Sequence, residues 1–219
     1  MGDEAVRAVM FADLAGFTAL TEAHGDSRAV DAAVRFGELA EGSLGDGARV
    51  VKTIGDAVLV VAPDARSGVD AALSILRRVD TEPEFPGVRV GLHAGPVLER
   101  LGDVFGATVN IAARLAERAH VGQLLTTAAT ATLVSDLAHV SVRSLGPTRL
   151  KNIGEALELF SIEDTQHEPL ARVLDPVCRM YVDADEAPAR LPWGDRIWSF
   201  CSFECASTFV AAPERFVTD

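Results

Sequence analysis

Short apolar runs and helical stripes alternate along most of the chain. Residues 6–12 (VRAVMFA) are an apolar run ending at Asp13, the pattern of a buried strand with a carboxylate at its tip. An Ala-rich stretch over about 18–42 carries Ala29, Ala33, Phe36 and Ala40 on one helical face, and Gly45 and Gly47 then break it. The runs VVKTI and AVLVV, parted by Gly55-Asp56 between Val50 and Ala62, predict a β-hairpin. Residues 65–79 repeat Val69, Ala72, Leu73, Leu76 and Val79 at helical spacing. Strand returns over 87–92, helix over 110–119, and strand over 123–126, 138–143 and 157–162. This order predicts an α+β fold with helices packed on a mainly antiparallel sheet.

From 163 to 174 the periodicity lapses, which predicts a linker. Residues 175–219 differ in kind, with seven of the 13 aromatics and all three cysteines, Cys178, Cys201 and Cys205. So small a segment buries little surface and tends to need a metal or a partner to stay folded. It is expected to be a separate module.

Composition narrows the functions. With 48% hydrophobic and 24% charged residues, the 219-residue chain can build a core. The net charge of −12 and the scattered basic residues argue against a nucleic acid or an anionic membrane as main partner. They leave room for a nucleotide, since a divalent cation can bring phosphate to an acidic site. No apolar run approaches the roughly 18 residues of a membrane span. The acidic start, Met1-Gly2-Asp3-Glu4, is unlike a secretory signal, so a cytoplasmic location is expected. The odd cysteine count argues against a disulfide framework.

Asp13 and Asp56, at a strand tip and in a neighbouring hairpin turn, would make an oxygen-rich site suited to Mg²⁺ or Mn²⁺. Each lies near glycine, in Asp13-Leu14-Ala15-Gly16-Phe17-Thr18 and Gly55-Asp56, and a helix starting near Thr18 would aim its positive end at a phosphate. Taken singly, aspartates at turns are commonplace. Together, FADLAGFT (11–18), KTIGDAV (52–58), GLHAG (91–95) and GDVFGATVNIAARL (102–115) are specific words in a specific order. Over residues 6–162 this set resembles the class III adenylyl and guanylyl cyclases.

That resemblance implies a ferredoxin-like cyclase sandwich over 1–162 that works as a homodimer, with active sites between subunits. It assigns Asp13, Asp56 and the backbone of Leu14 to two Mg²⁺ or Mn²⁺ ions, and Gly16, Phe17 and Thr18 to the substrate. Lys52 and Asp103 match the purine-reading pair, and Asn110 and Arg114 match the pair serving the transition state. In the family the aspartates come from one subunit and the other four residues from its partner. Lysine only donates hydrogen bonds and a carboxylate only accepts them. Lys52 with Asp103 therefore suits the N1 acceptor and amino donor of adenine, and the expected substrate is ATP. One departure is Ile153, which stands where mammalian-type members place a phosphate-binding lysine; Lys151 is nearby.

DPVCRM (175–180), FCSFEC (200–205) and APERF (212–216) resemble a YHS-type domain, with Arg179 in place of that family's usual glycine. If residues 202–210 form a helix capped by Ser202, Cys201 and Cys205 face one way, and Cys178 could join them around zinc or copper. His167 and Asp175 are the candidate fourth ligands. The competing reading is three reduced cysteines packed as small hydrophobes. For the whole chain, the alternative to an adenylyl cyclase is a non-catalytic nucleotide- or metal-sensing module that keeps the cyclase fold.

Overall fold

A computed structural model describes residues 4–217. Among the described residues there are twelve strands, β1 (Glu4–Leu14), β2 (Arg49–Ile54), β3 (Ala57–Ala62), β4 (Val88–Arg100), β5 (Asp103–Phe105), β6 (Leu124–Thr127), β7 (Val140–Arg149), β8 (Ala156–Asp164), β9 (Arg172–Leu174), β10 (Tyr181–Asp183), β11 (Ala189–Trp193) and β12 (Arg196–Phe200). The α-helices are α1 (Phe17–Glu41), α2 (Ala65–Thr81), α3 (Ala107–Arg118), α4 (Ala128–Val134) and α5 (Phe203–Ala211). The main sheet runs β2-β3-β1-β4-β6-β8-β7, with β5 paired to β4. Only β4–β6 is parallel; the other pairs are antiparallel, as expected for this α+β class.

β1 lies mid-sheet, and its central run Ala8–Ala12 is packed on both faces and apolar throughout rather than alternating. Ala8, Met10, Ala12 and Leu14 enter a core shared with α1 and α2, while Val9 and Phe11 pack opposite, with Ala112 and Val109 of α3. Asp64 caps α2 by accepting from the Ser67 N–H at 2.9 Å.

Within residues 4–164, two elements depart from the sequence-based expectations. β5 is three residues long and exists by pairing with the far end of β4, which extends to Arg100 rather than ending near residue 92. α4 is seven residues of mostly Ala and Thr, too short to persist alone, and is stabilised against α2 and β8.

Residues 165–171 are held to the body. His167 and the Leu170 N–H both meet Asp80 of α2, and Arg172 reaches Asp80 and the Glu82 carbonyl. The following segment adds the small pairs β9–β10 and β11–β12, then α5. Its Phe200, Phe209, Cys178 and Cys205 share one core with Leu20 and Ala29 of α1, and the Tyr181 N–H donates to the Phe85 carbonyl. Tail and α1 thus bury each other's apolar surface. Among the described residues, no helix is long and apolar enough to cross a membrane.

Candidate active site

Asp13 is the last residue but one of β1, and Asp56 follows Gly55 (φ 63°) in the β2–β3 turn. The Leu14 N–H donates to the Asp56 carbonyl at 3.2 Å, tying turn to strand end. Burial, then the negative charge of Asp13, raises the proton affinity of Asp56 above that of an ordinary carboxylate. A neighbouring cation opposes the effect of that charge. Arg89 of β4 is such a cation, since strand register sets it directly beside Asp13. Its Nε and Nη2 donate to Asp13 Oδ2 at 2.8 and 2.5 Å. Sequence reasoning missed Arg89 because only cross-strand pairing brings it to the aspartate.

Beyond Leu14, the Ala15 N–H donates to the Gly87 carbonyl, and Gly16 turns into α1 at φ 82°. Gly16 offers no capping side chain. The first-turn N–H groups, at Phe17 and Thr18, are therefore left for an outside acceptor.

Lys52 and Asp103 meet across β2 and β5, with Nζ and Oδ2 2.5 Å apart. The Lys52 bond, then the Val104 N–H, holds the Asp103 carboxyl below its ordinary value. Lys52 pairs with Leu59, which pairs with Phe11, two residues before Asp13. Side chains two apart on a strand share a face, so Lys52 and Asp13 open onto the same side of the sheet.

Asn110 and Arg114 lie one turn apart on α3, Asn110 exposed and Arg114 half-buried beside Glu117. Glycines in the GLHAG word bring this helix close. A Cβ on Gly91 would sit 2.1 Å from the Ala116 nitrogen and 2.4 Å from the Ala112 oxygen. Gly91→Ala should therefore push α3 off the sheet and destabilise the protein by about 1–3 kcal/mol, the range typical of overpacking. Urea unfolding checks this, and an unchanged midpoint would contradict the close packing. Among the described residues, no hydrogen bond or ion pair links Asp13 or Asp56 to Lys52, Asp103, Asn110 or Arg114. Ile153 is packed against the apolar cluster of Leu150 and Leu159, and Lys151 is exposed.

Residues 3–164 match the family described as adenylate and guanylate cyclase catalytic domain. The chain belongs to that family. It is 38% identical over 150 residues to an adenylate cyclase of Glutamicibacter nicotianae, covering 68% of this chain but 37% of that protein. The fold superposes on an adenylate/guanylate cyclase/hydrolase structure from Silicibacter pomeroyi with TM-score 0.65 at 25% identity, covering 74% of this chain and 98% of that one. A 48-residue stretch is also 46% identical to a copper-transporting P-type ATPase of Rhizobium leguminosarum bv. viciae, 22% of this chain and 6% of that protein. Within the cyclase-family domain, the sequence words correspond to the strand ends, turn and helix described above.

The tail brings its three cysteines together. Cys201 Sγ lies 3.5 Å from Cys178 Sγ and 3.6 Å from Cys205 Sγ. Ser202 caps α5 by accepting from the Cys205 N–H, as anticipated. Neither expected fourth ligand joins them. His167 is bound to Asp80, and buried Asp175 accepts from the backbone N–H groups of Val177, Cys178 and Cys201. The group that does join is His24 of α1, its Nε2 lying 3.4 Å from Cys201 Sγ and 3.6 Å from Cys205 Sγ. The one sequence signal for it is Gly25, an unusual residue inside a helix, which here breaks α1 at φ 82°, ψ 166°. Hydrogen bonds shared among the three thiols pull Cys205 down and push Cys178 up. Arg179 adopts φ 66°, so the loop keeps a left-handed turn without glycine.

Proposed function

We propose that the chain is an adenylyl cyclase, converting ATP to 3′,5′-cyclic AMP and pyrophosphate in signal transduction. The observation that carries this reading is the Lys52–Asp103 pair, a donor-only cation beside an acceptor-only carboxylate, both partly exposed where β2 meets β5. That pair complements adenine and mismatches the N1–H and O6 of guanine. The ribose 3′-hydroxyl gives up its proton, its oxygen bonds to the α-phosphorus, and the bond to the bridging oxygen of the β-phosphate breaks.

An all-oxygen donor set of Asp13, Asp56 and the Leu14 carbonyl fits Mg²⁺ or Mn²⁺, and Asp56 already shows the raised proton affinity of an uncompensated carboxylate. When bound, two such ions supply acidification of the 3′-hydroxyl and charge stabilisation at the leaving oxygens. The backbone at Gly16, Phe17 and Thr18 receives phosphate oxygens, Asn110 orients the ribose, and Arg114 stabilises charge building at phosphorus. Arg89 must yield part of its hold on Asp13 when cations enter. That bidentate pair is the one feature favouring a non-catalytic nucleotide sensor.

A homodimer completes the site, since within one subunit the aspartates are not linked to the other four residues. Apolar side chains exposed near Lys52 and Asp103 (Ile54, Leu101 and Phe105) suit such an interface. The tail is read as a YHS-type module in which Cys178, Cys201 and Cys205 hold zinc or copper, apart from the reaction.

The test is incubation with ATP or GTP and Mn²⁺, with products identified by mass. Cyclic AMP from the wild type is expected. Lys52→Glu should lower kcat/KM for ATP by about 10- to 100-fold, because a mismatched buried polar group costs about 1–3 kcal/mol. Unchanged ATP use in that variant would show that Lys52 does not read the base.

A further inference from the structure

We infer that His24 of the cyclase-family domain completes a four-ligand site with Cys178, Cys201 and Cys205 for a thiophilic cation, best Zn²⁺, and that this ion ties the tail to the helix leaving the Asp13–Thr18 loop. The four ligand atoms lie within 4.8 Å of one another. A tetrahedral ion with metal–sulfur bonds of about 2.3 Å and a metal–nitrogen bond of about 2.0 Å separates its ligand atoms by about 3.5–3.8 Å. The close contacts are 3.4, 3.5, 3.6 and 3.6 Å, near the edges of that tetrahedron. They are far longer than the roughly 2.05 Å of a disulfide, and the cysteines are free thiols.

The surroundings are built to match. Asp175 braces the ligand-bearing backbone by accepting the N–H groups of Cys178 and Cys201, as outer-shell carboxylates do around metal sites. The break at Gly25 falls immediately after His24, so the ligand ends a helical segment. Three ligands from the tail and one from α1 make the site joint property of both parts.

Each side of this site leads to the loop between β1 and α1. His24 is on the helix that begins at Phe17. Cys178 immediately precedes Arg179, whose side chain lies so close to Gly16 that a Cβ there would come within 2.4 Å of its Cγ. Gly16, Arg89, His120 and Arg179 line one cavity of about 430 Å³. Arg179 makes no ion pair among the described residues, so its positive charge is available at the mouth of that loop. The ion therefore fixes where Arg179 stands. That this loop receives phosphates rests on the cyclase reading; the tie itself does not.

Cobalt(II) titration of the metal-free full chain, followed by absorbance, reads the ligand set directly. One Co²⁺ per chain with strong tetrahedral d–d bands and thiolate charge-transfer bands is expected. His24→Ala should weaken binding at least about tenfold and alter the d–d bands. An unchanged affinity and spectrum in that variant would remove His24 from the site. Hydrogen exchange then tests the tie, with zinc expected to slow peptides covering both 15–24 and 175–205 in the wild type. Protection confined to 175–205 would overturn it. His24 is half-buried, and His24→Gln repeats the measurement should the alanine variant unfold. Neither readout needs nucleotide turnover, so a chain that made no cyclic AMP would sink the cyclase proposal and leave this one standing.

Discussion

Asp56→Asn is expected to abolish cyclisation while the protein stays folded. Asparagine keeps the shape of the side chain but removes the negative charge that a divalent ion needs. Loss of one such electrostatic element from a phosphoryl-transfer site costs about 10²–10³-fold in kcat, or about 3–4 kcal/mol of barrier. The fold should not suffer. Burial and the nearby charge of Asp13 make ionised Asp56 an unfavourable neighbour in the metal-free protein, so removing the charge should leave the unfolding temperature equal or higher. Cyclic AMP formation at saturating ATP and Mn²⁺, beside thermal unfolding in chelator, gives both readings. Wild-type turnover in Asp56→Asn would end the metal assignment.

Mixing two dead variants should restore activity. Each proposed site takes aspartates from one subunit and Asn110 and Arg114 from its partner. In a heterodimer of Asp56→Asn with Arg114→Ala, one site carries both substitutions and the other carries none. Random exchange of subunits in a twofold dimer would then recover about a quarter of wild-type activity. Each variant alone should be inactive, because every site in its homodimer has lost one residue. A verified heterodimer without activity would show that the site is not shared in this way.

Much of the candidate site is legible in the chain because its parts are local. Asp13-Leu14-Ala15-Gly16 is a strand end followed by a left-handed turn into a helix, and Gly55-Asp56 is a hairpin tip. Asn110 and Arg114 share a face through helical spacing alone. The spacing of Cys201 and Cys205 behind a Ser202 cap is equally local, and the structure has that helix start. Where the expectations erred, the missing information was long-range. β5 and α4 are too short to declare themselves and form only by pairing or packing. The linker expectation over 163–174 rested on lost periodicity, and could not reveal that Asp80 gathers His167, Leu170 and Arg172.

Nearest-neighbour periodicity and turn chemistry thus determined the α+β class, the order of its main elements and the residues at strand ends and helix starts. Such features depend on a few consecutive residues and leave their mark there. Only the tertiary structure decided what meets across the chain. Arg89 reaches Asp13 through β1–β4 register, and Lys52 reaches Asp103 because β2 and β5 lie together. His24 rather than His167 or Asp175 completes the cysteine cluster, across a separation of 177 residues from Cys201. A contact between distant residues depends on how whole elements pack, and no local pattern in one chain encodes which distant side chain arrives.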